Sequence, residues 1–473
     1  MTEVDGSITF LLSQLADVRP SFRNASIVKV QQLSGGAINR NDRLQLQLDD
    51  GSLSDLVMRR GRGSPVPGTL RREQEFQLVQ LMFRAGVPVP EPVAMVEADQ
   101  TLASFFHWCE GITDPRLILK SFVSLPDQPL EDLSGQLGKV LGAIHSEKIA
   151  SCLNNEQAPL FGERPFNGIS ASIQTLQEGF NQVQSPPSYL KFALERICEE
   201  ASRFTNKRPA VLCHNDFRLG NLMLSLPSVS EVKGAAPIAN QISSSSHGLF
   251  KAVLDWEFAN WGDPMSDLGW LTAPCWCFGG SHPVAGFLPL EPLLMGYRSS
   301  MPSFDETWIT ELSFWQRFAH LRWAIIASQQ GERALSTKDE TLELMITGLM
   351  TASIVQPVVE HYLGRAIEPL LTPRYRPVSH NSPDNARALA HLPEFNTLLR
   401  EAWRLLRQEV AQSDQVTGRL KYQVLVIANA LRLAMASQAL PSEEVRQKVS
   451  EGEELSQVEL ELAHDLALWR FQP

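Results

Sequence analysis

The first hundred residues carry short runs in which apolar and polar positions alternate. Residues 28–33 and 44–48 alternate in this way on either side of a glycine-rich stretch at 34–40, and residues 56–59 form a third run. A period of two predicts strands that bury one face, and a glycine-rich stretch between two such runs predicts a turn. The pattern therefore predicts a β-hairpin followed by a further strand.

Beyond residue 68 the apolar positions take up the spacing of helices. In residues 69–85 they are Phe76, Val79, Met82 and Phe83, and the sequence Gly-Val-Pro-Val-Pro at 86–90 ends the stripe. Three more stripes, at 392–406, 420–434 and 460–469, follow a proline-containing linker. Helical periodicity combined with the earlier alternation predicts an α+β fold and a separate helical domain at 376–473.

The strongest chemical signal lies between two short apolar runs at 211–213 and 222–224. The residues between them are His-Asn-Asp-Phe-Arg-Leu-Gly-Asn, in which Asp216 stands five positions before Asn221. A later apolar run ends directly before Asp255. Asp and Asn at such a spacing are ordinary loop residues when they stand alone. Asp255, a third polar residue that follows a predicted strand, favours a catalytic loop over an ordinary one.

These residue types suit the transfer of a phosphoryl group. A carboxylate must accept the hydrogen bond and then the proton of the attacking hydroxyl, which is the role predicted for Asp216. Mg²⁺ prefers oxygen ligands and keeps several waters, so Asn221 and Asp255 are the candidate metal ligands. His214 is expected to be structural. Asp267, which begins an apolar helical stretch, is a candidate to bond the backbone of the loop.

The loop at 214–221, with Leu-Asp-Trp-Glu at 254–257 and Gly-Asp-Pro at 262–264, resembles the aminoglycoside phosphotransferase and choline kinase superfamily. The resemblance implies a bilobal protein-kinase-like fold that uses ATP and Mg²⁺. The Leu-Gly-Asn-Leu sequence at 219–222 is most similar to the branch associated with acyl-CoA dehydrogenases. Asn215 departs from the glycine usual in the family, and Asn tolerates the left-handed backbone better than most residues.

The resemblance also implies a nucleotide-covering N-lobe at residues 1–109. Gly35 and Gly36 would let backbone N–H groups approach the phosphates of ATP. Arg59 stands where most kinases have a lysine at a strand end, and Glu75 is its expected ion-pair partner. The planar fork of an arginine grips phosphate oxygens with a geometry that lysine does not share.

A C-lobe at residues 110–368 is expected to complete the catalytic site and bind the acceptor. At the hinge before it, backbone atoms of three residues would bond the adenine ring: His107, Trp108 and Cys109. Residues 225–249 contain proline, glycine and a serine tract, which predicts a mobile insertion between the two strands that end at the metal ligands.

The composition and charge of the chain argue against several classes of partner and site. The net charge of −11 argues against nucleic acid and anionic membranes, and no run of eighteen apolar residues predicts a membrane span. Residues 1–20 carry acids where a signal peptide carries positive charge, so the expected location is the cytoplasm. The six cysteines include no Cys-x-x-Cys pair and predict neither a zinc site nor a disulfide framework.

The function that these observations favour is transfer of the γ-phosphate of ATP to a hydroxyl of a small molecule. The resemblance points to a hydroxy acid or hydroxyacyl compound as the acceptor, and an aminoglycoside or amino alcohol is the alternative. Arg59 and Asn215 also leave open a nucleotide-binding scaffold that has lost catalysis. The C-terminal helices are expected to dock on the C-lobe or on a second subunit, which would make a homo-oligomer.

Overall fold

The structure is a computed structural model. It describes residues 6–33, 39–61, 68–98, 101–154, 160–205, 207–226, 249–336 and 342–367, and single positions between 406 and 466. Three predictions fall wholly or largely on residues outside this described part: the phosphate contacts of Gly35 and Gly36, the insertion at 225–249, and the helical domain at 376–473.

A five-stranded antiparallel sheet forms the N-lobe. Its strands are β1 (Ser26–Gln32), β2 (Asn39–Gln47), β3 (Leu53–Gly61), β4 (Pro92–Ala98) and β5 (Thr101–His107), in the order β1-β2-β3-β5-β4. The alternating apolar residues of β2 and β3, such as Leu44 and Leu56, are fully buried. Helix α1 (Gly6–Val18) contributes Ile8, Leu11 and Leu15 to the same core. The predicted hairpin and third strand are confirmed.

Helix α2 (Arg72–Ala85) buries Phe76, Val79 and Met82 of the predicted stripe but leaves Phe83 exposed. It ends at Gly86, whose φ of 86° suits a residue without a side chain. Its first turn carries Glu75, which is buried beside Phe76. The helix begins three residues later than predicted. The reason is that the N–H of Leu70 donates to the carbonyl of Glu257 at 2.7 Å, which holds the chain before residue 72 in a non-helical path.

Four short strands frame the loop that carries Asp216. They are β6 (Val211–Cys213), β7 (Leu222–Leu224), β8 (Phe250–Val253) and β9 (Asn260–Gly262), and they pair as β6 with β9 and β7 with β8. The apolar runs on both sides of the loop are therefore strands, as predicted. Helix α8 (Pro264–Thr272) follows β9, and all nine of its residues are buried.

The rest of the described chain is mostly helical. Before the loop lie α3 (Pro115–Phe122), α4 (Asp127–Ile144), α5 (Glu147–Asn154), α6 (Gly168–Phe180) and α7 (Ser188–Ser202). After α8 come α9 (Leu290–Ser300), α10 (Leu312–Ser336), α11 (Leu342–Leu349) and α12 (Thr351–Leu363). A strand-rich lobe followed by a helix-rich lobe confirms the predicted α+β class.

The chain divides into two compact units. One contains residues 1–176 and 203–319, and the other contains residues 177–202 and 320–473. Every described residue predicted for the site belongs to the first unit. Within the described ranges, no helix has both the length and the apolar character needed to cross a membrane.

Candidate active site

The loop between β6 and β7 is tied to α8 by one carboxylate. Asp267 accepts hydrogen bonds from the backbone N–H groups of His214 at 2.7 Å and of Asn215 at 2.8 Å. Burial alone would raise the pKa of Asp267, but the hydrogen bond with His145 and the neighbouring imidazoles lower it below the usual value. Asp267 is therefore a carboxylate that holds the loop, as the sequence predicted.

Two residues near the site adopt left-handed backbone. Asn215 has a φ of 62° and Asp255 a φ of 65°. The side-chain amide of Asn215 also donates to the carbonyl of Phe258 at 3.1 Å, which compensates for part of the local strain. The departure from glycine at position 215 is therefore compatible with the loop conformation.

Three donors hold the carboxylate of Asp216. The amide nitrogen of Asn221 donates to Oδ2 at 2.5 Å. The other oxygen, Oδ1, accepts from Nε of Arg218 at 2.9 Å and from the indole N–H of Trp270 at 3.1 Å. Asp216 is only 7% exposed, so these contacts fix the carboxylate in one orientation. Oδ2 carries only the bond from Asn221 among the described residues, so this oxygen has room for another donor.

The side chain of Asn221 is oriented for a cation. Its NH₂ group donates to the carboxylate and to the carbonyl of Asp216, so its carbonyl oxygen Oδ1 is left to accept or to coordinate. The N–H of Leu254 donates to the backbone carbonyl of Asn221 at 2.8 Å and ties the loop to the strand end that carries Asp255. One amide oxygen and one carboxylate could then supply the hard oxygen ligands that Mg²⁺ prefers.

Arg59 joins the N-lobe to this group. Its Nη1 lies 3.0 Å from Oε1 of Glu75, the predicted ion pair. Its Nη2 lies 2.5 Å from Oδ1 of Asp255 and 3.8 Å from Oε2 of Glu257, and neither contact was predicted. Burial raises the pKa of Glu75. Burial, together with the charge of Asp255, raises the pKa of Glu257 to about 8. These two glutamates therefore hold their protons more readily than ordinary glutamates, and with a pKa of about 8 Glu257 is mostly protonated near neutral pH.

The segment predicted to bind adenine begins at the end of β5. The N–H of His107 donates to the carbonyl of Glu91 at 2.9 Å, and the N–H of Trp108 donates to the carbonyl of Asp55 at 2.9 Å. Among the described residues no carbonyl accepts from the N–H of Cys109. Since the N–H groups of His107 and Trp108 are already bonded, Cys109 is the candidate of this segment whose N–H could donate to an adenine ring.

Arg218, Trp270 and Glu257 were not among the sequence candidates. Arg218 and Trp270 contact Asp216 directly, and Glu257 lies beside Arg59. Arg218 and Glu257 stand within two positions of Asp216 and Asp255, so proximity to a motif could have suggested them. Trp270 stands 54 positions from Asp216, and no local pattern distinguishes it from a core tryptophan.

Part of the chain is similar in sequence to a family of phosphotransferases. Residues 29–234 match the model of the phosphotransferase enzyme family. Acyl-CoA dehydrogenase family member 10 of Mus musculus is 25% identical over an alignment of 327 residues, and the match covers 64% of this chain and 26% of the relative. The chain therefore spans about a quarter of the length of that curated relative.

Two solved structures also match. One is a Ralstonia eutropha JMP134 protein assigned to the aminoglycoside phosphotransferases, with 17% identity, a TM-score of 0.49, and coverage of 74% of this chain and 97% of that chain. The other is a choline/ethanolamine kinase family protein from Mesorhizobium loti, with 13% identity, a TM-score of 0.41, and coverage of 76% and 98%. Both TM-scores lie below 0.5, so the similarity to the family rests on the sequence match and not on these structures.

The matched region contains Arg59, Glu75, Asp216 and Asn221 and ends before Asp255. It includes the loop on which the resemblance to the aminoglycoside phosphotransferase and choline kinase superfamily was based. Residues 29–234 are therefore similar to the phosphotransferase enzyme family, and the predicted resemblance is confirmed.

Proposed function

We propose that this chain transfers the γ-phosphate of ATP to a hydroxyl of a small molecule. The observation that carries the proposal is the direct contact between Asp216 and Asn221, with Asn221 tied through Leu254 to the strand end of Asp255. A base and two metal ligands need this proximity, because the attacking hydroxyl and the metal-bound phosphate meet at one phosphorus atom.

In this mechanism Asp216 accepts the hydrogen bond of the acceptor hydroxyl through Oδ2. The bonds of Arg218 and Trp270 to Oδ1 keep Oδ2 directed at the hydroxyl. As the bond from the hydroxyl oxygen to the γ-phosphorus forms, the bond from that phosphorus to the bridging oxygen breaks, ADP leaves, and the proton of the hydroxyl passes to Asp216. Asn221 and Asp255 would hold Mg²⁺, which when bound offsets the negative charge on the phosphate oxygens.

Residues of the N-lobe support the nucleotide in this proposal. Arg59 would direct its fork to phosphate oxygens, and Glu75 fixes its orientation from α2. Gly35 and Gly36 are proposed to cover the phosphates. Cys109 would donate its N–H to the adenine ring, and the flanking residues His107 and Trp108 would offer carbonyl oxygens.

A hydroxy acid or hydroxyacyl compound is the acceptor that we propose. The match to a relative named for acyl-CoA dehydrogenases supports an acyl compound. An aminoglycoside or amino alcohol is the alternative, because the solved structures that match include proteins named for those acceptors and the net charge of −11 suits cations.

One contact favours a second candidate, a nucleotide-binding scaffold without turnover. Arg59 holds Oδ1 of Asp255, so Mg²⁺ must use the other oxygen of this carboxylate or displace the guanidinium. Acceptor-dependent release of ADP distinguishes the two candidates.

The test is a panel of hydroxyl compounds incubated with the full chain, ATP and Mg²⁺. The proposal expects ADP release that depends on one acceptor class, stops when EDTA removes the metal, and is lost in Asp216→Asn. Binding of ATP without ADP release for any acceptor would favour the scaffold instead.

A further inference from the structure

Arg218 lies on the side of Asp216 opposite to the metal ligands. Its Nε donates to Oδ1 at 2.9 Å, whereas Asn221 donates to Oδ2. Trp270 of α8 contacts the same oxygen as Arg218. The two oxygens of the base therefore face different groups: Oδ2 faces the metal-ligand side, and Oδ1 faces Arg218 and the tryptophan.

An aromatic ring supports the guanidinium of Arg218. Its central carbon lies 4.6 Å from the ring centroid of Trp276, a distance that favours stacking of the cation on the ring. Its Nη1 lies beside Gly220, and a Cβ added at Gly220 would be only 2.5 Å from that nitrogen. The stacking and the absence of a side chain at 220 together fix the plane of the guanidinium.

The two terminal amino groups of Arg218 keep their hydrogen-bonding capacity. Within the described ranges, neither Nη1 nor Nη2 contacts a protein acceptor, and the side chain is 25% exposed. Burial raises the pKa of the nearby thiol of Cys275, which therefore stays protonated and supplies no negative charge. Asp216 is the one acid among the described residues that forms an ion pair with Arg218.

The surroundings of this cation are apolar. Trp276 lies between Trp270 and Phe278, with ring centroids 5.2 and 6.3 Å away, and Phe278 is 39% exposed. An arginine fork against an aromatic wall binds planar oxyanions with two parallel hydrogen bonds and repels ammonium groups.

We propose that Arg218 selects the acceptor by charge: its terminal amino groups bind a carboxylate or phosphate that the acceptor carries near the hydroxyl facing Asp216. The inference rests on the proposed phosphotransferase function and names a residue that sets its acceptor class. One guanidinium then contacts the anion through Nη and the base through Nε, so a bound anion helps to hold Asp216 in place.

Two other roles for Arg218 predict different kinetic effects of its replacement. A residue that only orients Asp216 would affect every acceptor equally. A residue that stabilises the transferred phosphoryl group would alter the use of ATP, but Arg218 contacts the oxygen of Asp216 away from Asn221. Because Arg218 also holds Asp216, its loss should lower kcat for every acceptor, and selection by charge adds a rise in KM that is confined to acidic acceptors.

The experiment compares acceptors that share one carbon skeleton: a hydroxy acid, its phosphate-bearing counterpart, its neutral amide, and the corresponding amino alcohol. Steady-state kinetics are measured for the wild-type chain, Arg218→Gln and Arg218→Lys. The wild type is expected to prefer one of the two anionic compounds, which also identifies the anion. Arg218→Gln should raise KM for that compound about 10- to 100-fold, the range for losing charge-assisted hydrogen bonds.

The controls distinguish a wrong role for Arg218 from a wrong function for the chain. KM for the amide and KM for ATP should change by no more than a few-fold in Arg218→Gln, and Arg218→Lys should retain part of the preference. An equal rise of KM for acid and amide, a raised KM for ATP, or a wild type that prefers the amino alcohol would overturn the inference and leave the phosphotransferase function standing. Absence of turnover with every compound, despite intact binding of ATP, would overturn the proposed function and the inference with it.

Discussion

At the scale of single residues, Arg59 has the largest number of charged neighbours in the candidate site. Its guanidinium contacts Glu75, Asp255 and Glu257, which come from α2 and from the turn after β8. Because burial raises the pKa of Glu75 and of Glu257, these two acids do not both add a full negative charge beside the guanidinium. Phosphate oxygens of a bound nucleotide would compete with these acids for the guanidinium of Arg59.

Replacing Arg59 by Ala should therefore affect both stability and nucleotide binding. The acids that contact Arg59 lose their counter-charge, so the free energy of unfolding should fall by about 3–5 kcal/mol, as it does when a buried pair is broken. The KM for ATP should rise, and Arg59→Lys should also raise it because a point charge replaces the fork. Urea unfolding and ATP kinetics measure the two effects.

Glu75→Gln is the matched control for that experiment. It removes one of the three contacts of Arg59 and keeps the shape of the side chain, so its effect on the KM for ATP should be smaller. ATP kinetics in Arg59→Ala equal to those of the wild type would remove Arg59 from the nucleotide site.

At the scale of elements, the approach of α4 to α9 depends on glycine. An added Cβ at Gly138 would lie 1.9 Å from the carbonyl oxygen of Leu293 and 2.8 Å from the backbone nitrogen of Tyr297. At Gly135, one turn earlier on the same helix, the nearest atom would be 3.6 Å away, which is ordinary contact. The two positions therefore make a matched pair.

Gly138→Ala should destabilise the protein by roughly 1–3 kcal/mol, because backbone cannot move aside as a flexible side chain does. Gly135→Ala should be neutral or stabilise by up to about 1 kcal/mol, since Ala favours helix more than Gly. Thermal unfolding of both variants measures the difference. Equal stability of the two would mean that α4 and α9 are not in such close contact in solution.

Local sequence patterns predicted the elements better than the contacts between them. The strands on both sides of Asp216 and the stripe of α2 followed from periodicity, because each depends on residues close in sequence. The start of α2 did not, since it depends on a hydrogen bond from Leu70 to Glu257. Arg59 and Asp255 stand 196 positions apart, and only the folded chain brings them together.

At the scale of the whole molecule, the site and the C-terminal residues belong to different compact units. Arg59, Glu75, Asp216, Asn221 and Asp255 all lie in the first unit. In the second unit the hydroxyl of Tyr189 donates to Asp465 at 2.8 Å, and Leu462 and Leu466 are fully buried. The end of the chain thus contributes to the packing of the second unit.

Truncation after Leu371 should therefore separate binding from assembly. Mg·ATP binding should remain measurable by calorimetry, because the candidate site is kept. The apolar surface that Leu462 and Leu466 cover should become exposed, which should lower solubility or change the oligomer seen by light scattering. A truncated chain that stays folded and monomeric but loses nucleotide binding would contradict this assignment.

The most direct test of the central claim compares Asp216→Asn with Asp255→Ala. If Asp216 is the base, Asp216→Asn should bind Mg·ATP within a few-fold of the wild type while its turnover falls by roughly 10²–10⁴. If Asp255 is a metal ligand, Asp255→Ala should instead weaken the binding of Mg·ATP itself. Calorimetry and acceptor-dependent ADP release on the same preparations give both quantities. Undiminished ADP release by Asp216→Asn would contradict the account.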